Sequence, residues 1–172
     1  GIRKLPGSLY EAIELAEGSA LLKKALGNYT FDKFIQNKNG GFMDGALRAL
    51  EYAIDNGALI SNNSWGGPGE NFSMQQLIDD AGQVGHVFVA AAGNDESNND
   101  IFPTYPNSYP ADNIISVAAI EESGGMAWFS NYGRLSVDVA APGRNILSTV
   151  PGGRYDFLDG TSMAAPHVTG LV

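Results

Sequence analysis

Val87-Phe88-Val89-Ala90-Ala91-Ala92-Gly93-Asn94 is the stretch from which the fold is read: six apolar residues without a polar break, closed by a glycine and an asparagine. A run this short and uniformly apolar fits a strand buried on both faces, as in parallel sheets. Upstream, Ser73 is the expected cap of a helix carrying Met74, Leu77, Ile78 and Ala81. Ala58 to Ser61 reads as another buried strand, turning at Ser64-Trp65-Gly66-Gly67. Before it, Phe42, Ala46, Leu47, Leu50, Ala53 and Ile54 keep a helical period that Asn56-Gly57 ends. Helix, strand, helix, strand with short connections implies right-handed crossovers and a parallel sheet with helices on both faces, an α/β fold. Ligands of such sheets bind beyond the carboxyl ends of the strands, where both Ser64 to Gly67 and Gly93-Asn94 fall.

Further along, residues 95–113 form a polar, proline-bearing loop and Ile114 to Ile120 returns to strand. Ser136 to Val139 and Asn145 to Ser148 alternate as half-buried strands split by Pro142-Gly143, and Tyr155 to Leu158 completes a hairpin. A last helix follows Gly160.

With 172 residues, 44% hydrophobic and 17% charged, the chain has the composition of one ordinary globular domain. A net charge of −9 argues against nucleic acid or an anionic membrane as partner, since both call for basic surface. The lack of cysteine excludes disulfide and thiolate chemistry. No apolar run is long enough for a helix to span a bilayer. The chain starts at Gly1, which suggests a processed product or a fragment, so the missing leader says little about secretion.

Charge is unevenly spread: residues 1–40 hold six cations and four acids, net +2, while residues 41–172 hold four cations and fifteen acids, net −11. The imbalance suggests two segments of different origin, although one basic helical face on an acidic domain would produce it too. Residues 1–40 read as short helices started by Ser8, Ser19 and Thr30, and carry no recognisable chemistry. The texture changes at Gly40-Gly41, giving a helical segment over 1–40 and a separate domain over 41–172.

The chemistry concentrates near the C-terminus, in Gly160-Thr161-Ser162-Met163-Ala164-Ala165-Pro166-His167-Val168-Thr169-Gly170. Ser162 follows turn-permissive residues and opens an Ala-rich helix, so its hydroxyl sits by free N–H groups that favour a developing anion. On residue type alone Ser162 reads as an ordinary cap. The undecapeptide as a whole, however, resembles the active-serine motif of the subtilisin-like serine proteases at every position. It does not fit the G-x-S-x-G elbow, because Ala164 stands where the last glycine belongs.

The resemblance runs from about Phe42 to Val172. Ala91-Ala92-Gly93-Asn94 resembles the oxyanion motif of that family, and Asn62 to Gly67 its peptide-pairing strand. Asp112 to Ala119, Phe129 to Gly133 and Ala140 to Gly143 follow in the same order. It implies the C-terminal part of a subtilisin-like parallel-sheet domain, with Ser162 as nucleophile and Asn94 as side-chain oxyanion donor. Ser64, Trp65 and Gly66 would form one wall of the S1 pocket and Ala91, Ala92 and Gly93 the other, with Thr104 near the base. A pocket without an acid at its floor implies neutral or apolar P1 residues. The resemblance further implies a polypeptide substrate, a secreted or extracellular setting and no cofactor for catalysis. A structural calcium or monovalent cation would be held by carbonyls around Asn107-Ser108-Tyr109, beside Pro106, where an unusual peptide geometry is expected. The acidic stretch Asp95 to Asp100 lacks the glycine spacing of a calcium loop, so no metal-ligating side chain is assigned.

The same family carries its other triad members in D-[ST]-G and H-G-[TS]-H motifs, in the order Asp, His, Ser, and neither occurs here. His167 shares a helix with Ser162 and should point away from it; His86 precedes a strand at the end opposite Asn94. Residues 2–38 resemble instead the helical C-terminal tail of bacterial-type glutamine synthetases, which implies no synthetase activity. The expectation is an endopeptidase fragment with nucleophile and oxyanion donors, inactive alone for want of its Asp and His. The alternatives are a non-catalytic peptide-binding module and a chimeric or assembly artefact without function. A sheet lacking its early strands also predicts self-association through an exposed edge.

Overall fold

The computed structural model describes residues 42–172, so the helical segment expected over 1–40 and its synthetase likeness lie outside the described residues. The chain there runs α1 (Phe42–Asp55), β1 (Ile60–Asn63), α2 (Phe72–Gln83), β2 (Val87–Ala91), β3 (Ile114–Ile120), β4 (Val139–Pro142), β5 (Ile146–Val150), β6 (Arg154–Leu158) and α3 (Thr161–Thr169). Strands β1 to β4 lie side by side in that order, each pair parallel. The fold is the α/β arrangement read from the sequence. The sheet, α2 and α3 belong to a unit formed by residues 53–147 and 157–172. A second unit includes, among the described residues, 42–52 and 148–156. The hairpin β5–β6 turns through Gly152 and Gly153, both at positive φ.

Alternation along the strands decides what meets α3. Register pairs Val89 with Ile115 and Ala91 with Val117, and on that face Val89, Ala91, Val117, Ala119 and Ala141 pack with Ala164, Ala165 and Val168 of α3. Alanines on both sides let the helix backbone approach the sheet closely, and α3 touches all four strands. On the opposite face Phe88, Ala90 and Ala118 are equally buried. α2 packs against β2 with Met74, Ile78 and Ala81 buried.

Some boundaries differ from expectation, each for a reason that lies outside local hydrophobicity. β1 occupies 60–63 rather than 58–61, and its last residue, Asn63, is buried although polar. Its Nδ2 donates to Ser61 Oγ at 2.9 Å and Val89 O at 3.3 Å, which satisfies it inside the sheet. β4 begins at Val139 rather than Ser136, because Ser136 binds Asp100 and Asp138 Oδ2 accepts the Ser116 N–H at 2.8 Å. α2 is capped by Asn71, whose Oδ1 accepts from Met74 N–H at 2.9 Å, so Ser73 lies in the first turn instead. His86, only 1% exposed, opens β2 with Nδ1 donating to Ala58 O at 2.7 Å and Nε2 bonded to Ser61 Oγ at 2.9 Å.

Asp100 ties the loop after β2 to the segment between β3 and β4. Its carboxylate accepts the backbone N–H groups of Arg134, Leu135 and Ser136 and the Ser136 hydroxyl. The hydroxyl bond, more than the backbone ones, holds the carboxyl below its ordinary 3.8, against a smaller opposing effect of burial. Because the folded pKa is depressed, the stability this group contributes is present above that ordinary value and is lost as pH falls through the folded value. Asp100→Asn is therefore expected to lower the melting temperature near neutrality, with the gap to wild type closing in acid. Melting curves followed by circular dichroism between neutral pH and about pH 2 check this; a gap that stays constant would contradict it.

Candidate active site

Helix α3 opens at Gly160, whose φ of 152° is strained for any residue with a Cβ. Of its first-turn donors, Met163 N–H bonds Gly160 O at 3.0 Å, while those of Thr161 and Ser162 have no acceptor within the helix. Thr161 N–H is taken by Asn94 Oδ1 at 2.8 Å, whereas Ser162 N–H meets no acceptor among the described residues. Pro166 matters in the same turn. Lacking an N–H, it cannot bond the carbonyl four residues earlier, that of Ser162, and Ser64 Oγ donates to this carbonyl at 2.9 Å in its place. In return Ser162 Oγ donates to Ser64 O at 3.2 Å. The end of β1 and the start of α3 are thereby joined by reciprocal bonds.

Asn94 leaves the end of β2 and is held by its oxygen. Oδ1 accepts both Thr161 N–H and Thr161 Oγ1–H, the latter at 3.0 Å, which fixes it as the oxygen and leaves Nδ2 as a donor facing the helix start. A Cβ built on Gly160 would lie 3.6 Å from Ser162 N and 3.7 Å from Asn94 Nδ2. Both donors thus lie within contact distance of one point beside Gly160, alongside Met163 Sδ at 3.5 Å, a space that a Cβ would occupy.

All the sequence-predicted residues except Ala92 line one cleft of about 320 Å³: Ser162, Asn94, Ser64, Trp65, Gly66, Ala91, Gly93 and Thr104. Ala92 is fully buried behind the wall, and its carbonyl accepts Asn99 Nδ2 at 2.8 Å and Thr104 Oγ1 at 3.1 Å. Trp65 lines the cleft with its ring edge-on to Phe88 at 6.5 Å, so it is wall as well as packing. Gly67, Asp95, Asn107 and Thr161 also line the cleft; the sequence reading gave Gly67 to the peptide-pairing strand and Asn107 to a cation site, and gave Asp95 and Thr161 no role. Asn107 could have been found from its spacing to Thr104, whose hydroxyl lies 3.0 Å from its Oδ1. Thr161 was hidden by its neighbour, Ser162.

The outer wall is zipped by an antiparallel bridge, with Gly67 N–H donating to Tyr105 O at 2.9 Å and Tyr105 N–H to Gly67 O at 2.8 Å. Gly66 is required there, since a Cβ would come within 2.9 Å of Tyr105 O. The Tyr105 hydroxyl donates to Glu70, and that bond, with burial and the carboxylate charge, pushes its pKa up to about 12. It therefore stays a proton donor at neutral pH. The Tyr105–Pro106 bond beside it is cis.

Neither histidine approaches Ser162 Oγ. His167 turns back along α3, its Nδ1 2.8 Å from Met163 O, and both ring nitrogens of His86 are engaged at the far end of β2. The arrangement thus offers a hydroxyl and two converging N–H donors, while the Ser162 proton rests on a carbonyl, a group too weak to serve as a base.

A family model for the subtilases matches residues 25–172, beginning ahead of the texture change at Gly40-Gly41. The chain is 40% identical over 143 residues to Subtilisin-like protease 2 of Plasmodium falciparum, covering 81% of this chain and 11% of that protein. It is 42% identical over 162 residues to fervidolysin of Fervidobacterium pennivorans, covering 82% and 23%. To thermitase of Thermoactinomyces vulgaris it is 40% identical over 139 residues, covering 81% and 48%. Among solved structures, the self-cleaved protease domain of PatA matches with a TM-score of 0.66 at 31% identity, over 74% of this chain and 48% of that one. The prenylagaramide maturation protease PagA matches with a TM-score of 0.63 at 29% identity, over 74% and 46%. The chain thus spans less than half the length of each of these proteins.

Gly160→Ala is expected to destabilise the fold by about 1–3 kcal/mol, the cost of a residue held in a sparsely populated backbone region. Gly69→Ala, where a Cβ meets nothing within 4 Å, should change stability by under about 0.5 kcal/mol. Urea denaturation midpoints compare the two, and equal shifts would contradict the strain argued for Gly160.

Proposed function

Since the chain belongs to the subtilase family, we propose that residues 42–172 form the nucleophile and oxyanion half of a serine endopeptidase site. In this reading a peptide carbonyl carbon lies against Ser162 Oγ, and its oxygen enters the space between Ser162 N–H and Asn94 Nδ2. As the carbon becomes tetrahedral, negative charge grows on that oxygen, where two preset donors stabilise it without reorganising. The P1 side chain enters the cleft. In its lining Thr104 and Asn107 are polar but uncharged, and the one carboxylate, Asp95, is exposed to solvent, which favours neutral or apolar side chains over basic ones that need a deep acid. The single observation that carries the reading is the convergence of Ser162 N and Asn94 Nδ2 on the point a Cβ at Gly160 would occupy.

Acyl transfer also needs a base to take the Ser162 proton and a group to orient that base. Among the described residues none is within reach, so the base and its orienter must come from chain outside residues 42–172. Alone, these residues should turn over peptides about 2 × 10⁶-fold more slowly than a complete site; that figure belongs to subtilisin itself and is carried over from it. The natural setting is a secreted or extracellular one acting on polypeptides. A second reading, a non-catalytic peptide-binding module, is favoured by the completeness of the cleft walls in the absence of a base.

A fluorophosphonate probe tests the first reading. Labelling of Ser162 in the 172-residue chain should be slow, with minutes-scale stoichiometric labelling contradicting it. Titration with a short peptide bearing an apolar P1 residue addresses the second: binding that is lost in Trp65→Ala, combined with no Asn94-dependent reactivity, would favour the module.

A further inference from the structure

We propose that Asn131 is a positioning residue for Asn94, gripping the chain on both sides of it; the inference rests on Asn94 acting as an oxyanion donor. Asn131 is fully buried and lies far along the chain from the residues it holds. Its backbone N–H donates to Gly93 O at 2.9 Å. Its side-chain Oδ1 accepts Asp95 N–H at 2.7 Å and Ser97 N–H at 3.1 Å. The peptide groups immediately before and after Asn94 therefore both end on one residue. Its Nδ2 donates to Asn99 Oδ1 at 3.0 Å, and Asn99 Nδ2 continues to Ala92 O at 2.8 Å, so the amide is bonded at both ends and cannot rotate freely.

Gly93 is shaped to this grip. Its φ is 113°, and a Cβ there would lie 2.4 Å from Asn131 Nδ2, so the amide fills the space any side chain at 93 would need. Asn94 itself takes no part in these bonds, because its side chain points to Thr161. The backbone of the donor is thus fixed by Asn131 and its amide by Thr161. A donor to a developing charge has to be held within about half an ångström of its working place, and an exposed loop anchored on both sides of the donor by one buried residue supplies that where the loop alone would not.

The test uses the residual turnover that donors and binding sustain without a base, about 10³–10⁴ over water in serine proteases lacking a triad member. The substrate is a peptide p-nitrophenyl ester with an apolar P1 residue, and the proteins are the 172-residue chain with Asn94→Ala, Asn131→Ala and both together. Asn94→Ala should lower kcat about 10²–10³-fold at unchanged KM, the magnitude found for such a donor in subtilisin and carried over from there. Asn131→Ala should lower kcat about 10–10²-fold at unchanged KM, and the double variant should fall no further than Asn94→Ala alone. If Asn94→Ala leaves kcat intact, the donor reading fails and the proposal with it. If Asn94→Ala loses rate but Asn131→Ala does not, or if the two losses multiply, the proposal is overturned while the donor reading stands. Should Asn131→Ala not fold, Asn131→Ser decides, since it removes the amide acceptor for Asp95 and Ser97 while leaving a small polar group in place. It should lower kcat at least about 10-fold at unchanged KM, and a folded Asn131→Ser with the wild-type kcat would overturn the proposal.

Discussion

The hydrogen bonds of Thr161 tie the exit of β2 to the entry of α3, and the site exists only where those two ends meet. Thr161 is fully buried. Its N–H and hydroxyl both reach Asn94 Oδ1, and the hydroxyl also accepts Gly93 N–H at 3.2 Å. Each such bond is worth about 1 kcal/mol net, but leaving any of them unmade at a buried position would cost more. The helix entry is locked to β3 as well. Gly160 N–H donates to Gly143 O at 2.8 Å, and Gly143 N–H to Ile120 O at 3.0 Å. A Cβ at Gly143 would come within 2.5 Å of the Ala119 side chain, so glycine there is a packing requirement.

Close approach is the common theme of the neighbouring layers. Ala164 and Ala165 against Val89, Ala91 and Ala119 bring the helix down onto the sheet, which places the first turn of α3 level with the strand ends. Pro166 would ordinarily be a cost to a helix of this length. Here the carbonyl it frees is the acceptor for Ser64 Oγ, so the local defect in α3 becomes the bond that draws the cleft wall up to Ser162.

Much of this was legible. β3 was read with its observed limits because its apolar run is interrupted only by Ser116, which is itself buried. Placing Ser64 to Gly67 and Gly93-Asn94 together required only the rule that parallel strands point their carboxyl ends the same way. The misplaced limits share one cause. Asn63, Asn71 and Ser136 act through side-chain hydrogen bonds, which local hydrophobicity does not reveal. The family likeness put Ala92 in the cleft wall; its side chain is fully buried, and its carbonyl serves Asn99 and Thr104 instead. Asn131 carried no local signal, since its partners lie more than thirty residues upstream. The family likeness, not periodicity, identified Asn94 as more than a turn residue.

The proposed donors Ser162 N–H and Asn94 Nδ2 stand together, while among the described residues no base reaches the Ser162 hydroxyl. The pH dependence of residual peptide-ester hydrolysis by the 172-residue chain tests this most directly. Without a base, the rate should rise in proportion to hydroxide across pH 6–9 and should depend on Asn94 throughout, because only the donors assist. A plateau with an inflection near the ordinary histidine value of about 6.5, abolished by replacing His86 or His167, would show a working base within the chain and contradict the account.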